Sequence, residues 1–286
     1  MELTSPHTMA LAGAFCSAVA TILLRQGLRS SNFYAGSWIN VAVGVIGLWA
    51  AVLLWVPRDD YQLSAVPFFV VSGLVGTAAG RFLRVVSIEK VGASVSAAIT
   101  NLKPFIAAAL AILMLGERVT LPILAGTLAI VLGTILLSLS GRVVGFRPVQ
   151  LVYPFLSASC FGVAAIIRKL GLGQMGPLLG STINMTTALV AFTAYLLASG
   201  HYGEVLCDRR SLLCFVGAGI AENAGVYLVL VALSLGSVSV VTPLAGTAPL
   251  FVLPMAFFFL KGVEKLTWRI VVGSTLIVLG VFLLTA

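Results

Sequence analysis

Apolar runs of about 20 residues, the length that crosses a hydrocarbon core of about 30 Å, recur ten times along the chain between short polar interruptions. They fall at residues 8–27, 33–56, 65–87, 92–115, 119–139, 149–170, 177–199, 211–234, 237–260 and 267–285. A transmembrane barrel would show alternating segments of about 10 residues instead, and the sequence has none. The expected fold class is therefore all-α and membrane-integral, a bundle of ten transmembrane helices. Links such as "GERVT" at 116–120 and "KGVEKLT" at 261–267 are too short to hold a soluble domain. Chemistry has to take place in or between the helices.

The second half of the pattern echoes the first. At a shift of 144, "ATILLRQGLRSSNFYAGSWIN" (20–40) meets "AAIIRKLGLGQMGPLLGSTIN" (164–184), pairing Gly27 with Gly171, Gly36 with Gly180 and Asn40 with Asn184. At 147, "GTLAIVLGTILL" (126–137) meets "GSTLIVLGVFLL" (273–284). Residues 1–141 and 142–286 thus read as two copies of one five-helix unit. Five is odd, so the second copy enters the membrane from the opposite side, giving an inverted repeat. Two such halves can rock about a midplane site, which is how many secondary transporters are built.

Composition agrees with the spans. Of 286 residues, 60% are hydrophobic and 9% charged, with mean hydropathy +1.12, against about 25% charged in soluble domains. Met1–Thr8 carries Glu2 and no Lys or Arg ahead of the first run, so that run reads as a retained helix and not a cleaved signal. The net charge of +8 is accounted for by loops facing anionic lipid and needs no nucleic-acid partner.

The duplicated unit, together with "PFIAAALAILMLGERVTLPILAGTLAIVLGTILL" (104–137) and its echo "PLFVLPMAFFFLKGVEKLTWRIVVGSTLIVLGVFLL" (249–284), resembles the drug/metabolite transporter superfamily and its EamA-type, ten-helix members. The resemblance implies a multi-pass transporter of the inner cell membrane with both termini inside, taking solutes that range from amino acids and sugars to nucleotide sugars and drugs. The echo is imperfect: Gly116 and Glu117 are adjacent, whereas Glu264 stands two residues after Gly262. Both carboxylates are expected to cap the helices that follow them, where the dipole favours an anion.

Lys103 is the leading candidate for the site. In an uninterrupted helix from Gly92 it lies about 16 Å along the axis, at the bilayer centre. An ammonium there costs at least about 3 kcal/mol unless it faces a wet cavity or a partner. The alternative is a closed pair with Glu222, at matching depth in the eighth span. Arg81 is a second site cation, while Arg84, near the boundary, is expected to snorkel as an anchor. Asn101 is included, although in a continuous helix it would point about 160° away from Lys103. Asn40 and Asn184 are expected to bond helix to helix. Pro243, Pro249 and Pro254 break the ninth span, making Thr242, Gly246 and Thr247 candidate cavity walls. Trp38, Tyr227 and Tyr34 are candidate aromatic contacts.

Lys103 and Arg81 outweigh Glu222, so the cavity is net positive and favours an anion. A pump for lipophilic cations would want an unpaired membrane carboxylate, and the first span has none. The expected activity is secondary transport of a carboxylate-bearing metabolite or amino acid. Glu222 is the coupling candidate, because a carboxylate taken out of water holds a proton more readily. An uncoupled facilitator or channel, and after it a multidrug exporter, are the alternatives. The expected partners are the small-molecule substrate, the bilayer and, through Glu222, protons, with the protein a monomer or homodimer.

Odd-numbered loops hold eleven Lys and Arg and even-numbered loops four, counting Arg84 among the former and Arg168 and Lys169 among the latter. That bias places the odd loops in the cytoplasm and the termini outside, against the orientation the resemblance implies. Enzymatic motifs are missing: there is no Gly-x-Ser-x-Gly and no His-Glu-x-x-His, and His7 and His201 stand alone. The chain is therefore not expected to be an enzyme. Cys16 and Cys160 match at the 144 shift and Cys207 and Cys214 lack a metal spacing. No metal and no cofactor is expected.

Overall fold

The computed structural model describes residues 5–56, 62–91, 93–138, 147–259 and 268–285. Helices account for nearly all of them, in the order α1 Pro6–Gly27, α2 Phe33–Trp55, α3 Val66–Ser72, α4 Arg81–Val91, α5 Ala93–Thr100, α6 Lys103–Leu115, α7 Leu121–Ser138, α8 Val152–Leu172, α9 Pro177–Ser199, α10 Arg209–Leu235, α11 Val238–Ala245, α12 Ala248–Phe259 and α13 Trp268–Thr285. A π-helical segment, Gly73–Gly80, joins α3 to α4 in one continuous span. Seven segments are long and apolar enough to cross a membrane, and three shorter apolar ones, Leu121–Leu137, Val238–Val252 and Val271–Thr285, complete ten. No strand occurs among the described residues. The 141/142 junction of the two repeats and Glu264 lie outside them.

Two of the ten spans are broken, and the chemistry of proline explains where. Pro104 has no N–H to give the Thr100 carbonyl and its ring crowds that oxygen. The fourth span, expected as one helix, therefore stops at Thr100, turns through Asn101 and Leu102, and restarts at Lys103. Pro249 stands in the same relation to Ala245, where α11 ends before the turn Gly246–Thr247. The break in the ninth span was expected and its counterpart was not. The two are 145 residues apart, so both repeats carry a half-helix junction at one position.

Packing repeats the same symmetry. The Phe215 ring occupies the space left by Gly27 and Gly36, and the Phe69 ring that left by Gly171 and Gly180; a Cβ on Gly180 would meet Phe69 at 2.4 Å. The α7–α13 pair crosses backbone to backbone. A Cβ on Gly133 would lie 2.5 Å from the Gly273 carbonyl and one on Gly280 would lie 2.6 Å from that of Gly126. Such small-residue seams are how membrane helices approach closely.

The two faces differ. On the face of the even-numbered loops, Ala107 and Ala111 of α6 share one buried cluster with Val238, Val241 and Leu244 of α11. On the other face, among the described residues, α5 packs on α4, α7 and α8, and α12 on α1, without substantial contact between α5 and α12. There the loops 28–32 and 200–208 meet. Asn32 donates to the Glu204 carbonyl at 2.9 Å, and Asp208 caps α10 by accepting from the N–H groups of Arg210 and Ser211. The Ser211 hydroxyl foremost, then the Ser211 and Arg210 N–H groups and the Ser30 hydroxyl, hold the exposed Asp208 carboxyl below the usual carboxylate range.

Candidate functional site

Charged groups from four helices gather in the interior. Arg81 opens α4 directly after the π-helical segment, and its Nη2 stands 3.6 Å from Glu222 Oε1 on α10. The Ser17 hydroxyl of α1 donates to the other oxygen, Oε2, at 3.4 Å. Both members of the ion pair keep about a quarter to a third of their side-chain surface open, so the pair is not sealed in dry packing.

Lys103 does not pair with Glu222, contrary to the closed-pair alternative. As the first residue of α6 it adds its charge to the positive end of that half-helix. Its ammonium stands over the Phe161 ring of α8, 5.6 Å from the centroid, a cation–π distance. Among the described residues it has no hydrogen bond and no ion pair, and the charges it feels are Arg84, Glu222 and Arg168. Groups from α4, α8 and α10 around one ammonium place it inside the bundle and away from the lipid face.

Arg84, one turn after Arg81, is exposed on α4, with Arg81, Glu222 and Lys103 within its electrostatic reach. One correction follows. Arg168 is not a loop residue. It lies within α8, where its Nη2 donates to Thr77 Oγ1 at 3.1 Å and to Asn184 Oδ1 at 3.4 Å. Its Nε is buried without a partner. Drawing the sixth span to 170 already enclosed Arg168, and weighing it as a buried charge would have found it.

Asn184 links helices as expected, accepting from Thr77 Oγ1 at 2.9 Å and donating to Ser72 Oγ at 2.7 Å. Asn40 does so only through its backbone, whose carbonyl accepts from Asn223 Nδ2 at 3.2 Å; its side-chain oxygen is buried and unpartnered.

The remaining candidates are dispersed. Asn101 is half-buried in the turn before Lys103. Thr242 spends its hydroxyl on Val238 O at 2.7 Å within α11, and Thr247 on Leu244 O. Trp38 donates to Thr193 Oγ1 at 3.0 Å, tying α2 to α9. Tyr227 lines a separate apolar cleft of about 300 Å³ between α2, α9 and α10, with Gly44 and Asn223. Tyr34 stacks on His201 near the loops. A wider cleft of about 570 Å³ between residues 29–32 and 206–208 is superficial and holds none of the central charges.

Glu117 is also placed differently from expectation. Gly116, at φ 65°, adopts the left-handed turn that ends α6, and this swings Glu117 across to the other repeat. There its carboxylate accepts from the Val238 and Ser239 N–H groups at 2.7 and 3.0 Å, capping α11 and not α7. Lys169 of α8 donates to the carbonyls of Leu233, at 2.5 Å, and Gly236, at 2.7 Å. The two residues clasp the α10–α11 link on the closed face.

No group of three or more His, Cys, Asp or Glu able to hold a metal occurs among the described residues. A sequence profile of the EamA-like transporter family matches residues 4–139 and again 150–286. In fold the chain is similar to a protein of known crystal structure, with 17% sequence identity and a TM-score of 0.81 over 97% of this chain and 95% of the other. At that identity the likeness is one of fold alone. By sequence, no curated protein matches.

Proposed function

Because the chain belongs to the EamA-like transporter family, we propose that it carries small organic anions, carboxylate-bearing metabolites or amino acids, across the inner cell membrane by alternating access. The observation that carries the anionic reading is the imbalance of central charge. Arg81 is offset by Glu222, whereas Lys103 and Arg168 have no carboxylate within ion-pairing distance among the described residues. A pocket of that sign, walled by apolar helices, concentrates anions and excludes cations. The half-helix junctions at Lys103 and Ala248 support the same location, since interrupted helices at matching positions of two inverted repeats surround the substrate in many secondary transporters.

In this account Lys103 meets the anionic group, and the Asn101 turn and the Gly246–Thr247 turn lie at the corresponding ends of the chamber. Trp38 and Tyr227 contribute to helix packing and to the lateral cleft. Glu222 couples transport to protons: when it is neutralised, Arg81 loses its partner and a further cation faces the substrate. Proton and anion then favour each other's binding, which is the linkage a symporter needs.

Uptake of radiolabelled succinate and glutamate into proteoliposomes tests the reading. Lys103→Ala should lower uptake by about tenfold or more, in line with the loss of one partner of a desolvated charge contact, while the purified variant still melts cooperatively. Undiminished uptake by that variant, or selective uptake of tetraphenylphosphonium by the wild type, contradicts it.

A further inference from the structure

We propose that Lys169 and Arg25 are alternating clasps, each holding one face of the bundle shut in turn; the inference rests on the alternating-access part of the reading above and not on the identity of the solute. Lys169 stands near the C-terminal end of α8 and Arg25 near that of α1, and the two coincide at the shift of 144. They are basic residues at one position of the two repeats, and inversion of the repeats puts them at opposite faces of the membrane.

Of the two positions, the one in the second repeat is engaged. Lys169 donates to the carbonyls of Leu233 and Gly236, at 2.5 and 2.7 Å, where α10 ends. A helix leaves its last carbonyls without intrahelical partners, and a cation at that end also suits its dipole. The bonds tie α8 to the α10–α11 link on the face where Ala107 and Ala111 of α6 are buried against α11. Glu117, within electrostatic reach of Lys169, caps α11 there.

The same parts of the first repeat stand apart. Arg25 is exposed and, among the described residues, makes no hydrogen bond or ion pair. Nor does α1 have substantial contact with α4 or α5 among those residues, although Gly92, which follows α4, corresponds at the same shift to Gly236, which follows α10. Arg25 lies toward the face where α5 and α12 are also without substantial contact. Inverted halves exchange roles when the molecule changes the side to which it opens. In the exchanged state α1 approaches α4, and the Arg25 guanidinium, with five N–H donors, takes the carbonyls at the end of α4 as Lys169 takes those of α10.

Thiol labelling tests the exchange. In the full-length protein with its four cysteines replaced by alanine, Ala111→Cys places a thiol in the α6–α11 contact. Its rate of reaction with a water-soluble maleimide in detergent reports how often that face opens. Lys169→Met removes the engaged donor and should raise the rate by about tenfold, whereas Arg25→Met removes bonds made only in the other state and should lower it by a similar factor. The double variant should return close to the starting rate. A rate that Lys169→Met does not raise, or that Arg25→Met does not lower, overturns the proposal. If Lys169→Met fails to fold, Arg25→Met, at an exposed residue, decides by the sign of its effect. A thiol that stays unreactive in proteoliposomes taking up succinate overturns alternating access at this face together with the clasps, whereas a reactive thiol that both variants leave unchanged removes the clasps alone.

Discussion

In the proposed site a single side chain, Glu222, sets the electrostatic balance. With its charge present, Arg81 is paired at 3.6 Å; with the charge removed, Arg81 joins Lys103 and Arg168 as a cation without a carboxylate partner among the described residues. Glu222→Gln should therefore strengthen succinate binding. Calorimetric titrations of the two proteins check this, and equal affinities would assign Glu222 a structural role. At this scale the sequence was legible where depth alone decides, as for Lys103, Arg81 and Glu222. It was not legible for Arg168, because a cation near a span end looks the same on paper whether it reaches out to lipid headgroups or turns inward to Thr77 and Asn184.

Helices reveal a second limit of one-dimensional reading. Pro249 sits among three prolines and a Gly-Thr turn, so the break of the ninth span stands out. Pro104 is the single proline of its span, and the polar residues beside it, Asn101 and Lys103, read as site candidates more readily than as the mark of a turn. The missing donor for Thr100 was present in the sequence, and only comparison with the other repeat gives it weight. Glu117 was read as the cap of its own following helix because capping is usually local. The left-handed Gly116 redirects it to α11, a tertiary contact that spacing does not encode. The α7–α13 seam offers the direct test at this scale. Gly133→Leu drives a side chain into the Gly273 backbone, and overpacking of this kind costs about 1–3 kcal/mol, so the melting temperature should fall by several degrees. Gly47 has nothing within 4 Å of an added Cβ, and Gly47→Ala should be neutral or slightly stabilising. Equal melting of the two variants would mean that the seam is not close-packed.

The whole molecule is a symmetric scaffold carrying asymmetric chemistry. Phe69 and Phe215, with their glycine pairs, occupy corresponding places, as do the junctions before Pro104 and Pro249, yet Lys103 corresponds to Ala248 and Arg168 to Leu24. The repeat could be seen in the sequence because glycines fix helix contacts and recur at constant shift. The candidate site could not be read whole, because the residues proposed for it come from one repeat's third and fourth spans and the other's sixth and eighth. Closure among the described residues is likewise uneven: α6 meets α11 on one face, where Glu117 and Lys169 clasp the link between α10 and α11, while on the opposite face α5 and α12 have no substantial contact. This is the form expected of one end state of a carrier with two equivalent halves. The most direct measurement is a high-resolution structure of the protein in lipid nanodiscs with saturating succinate. The account predicts density for a carboxylate at the Lys103 ammonium; a saturated protein with that position empty, or with succinate only in the cleft at Tyr227, would contradict it.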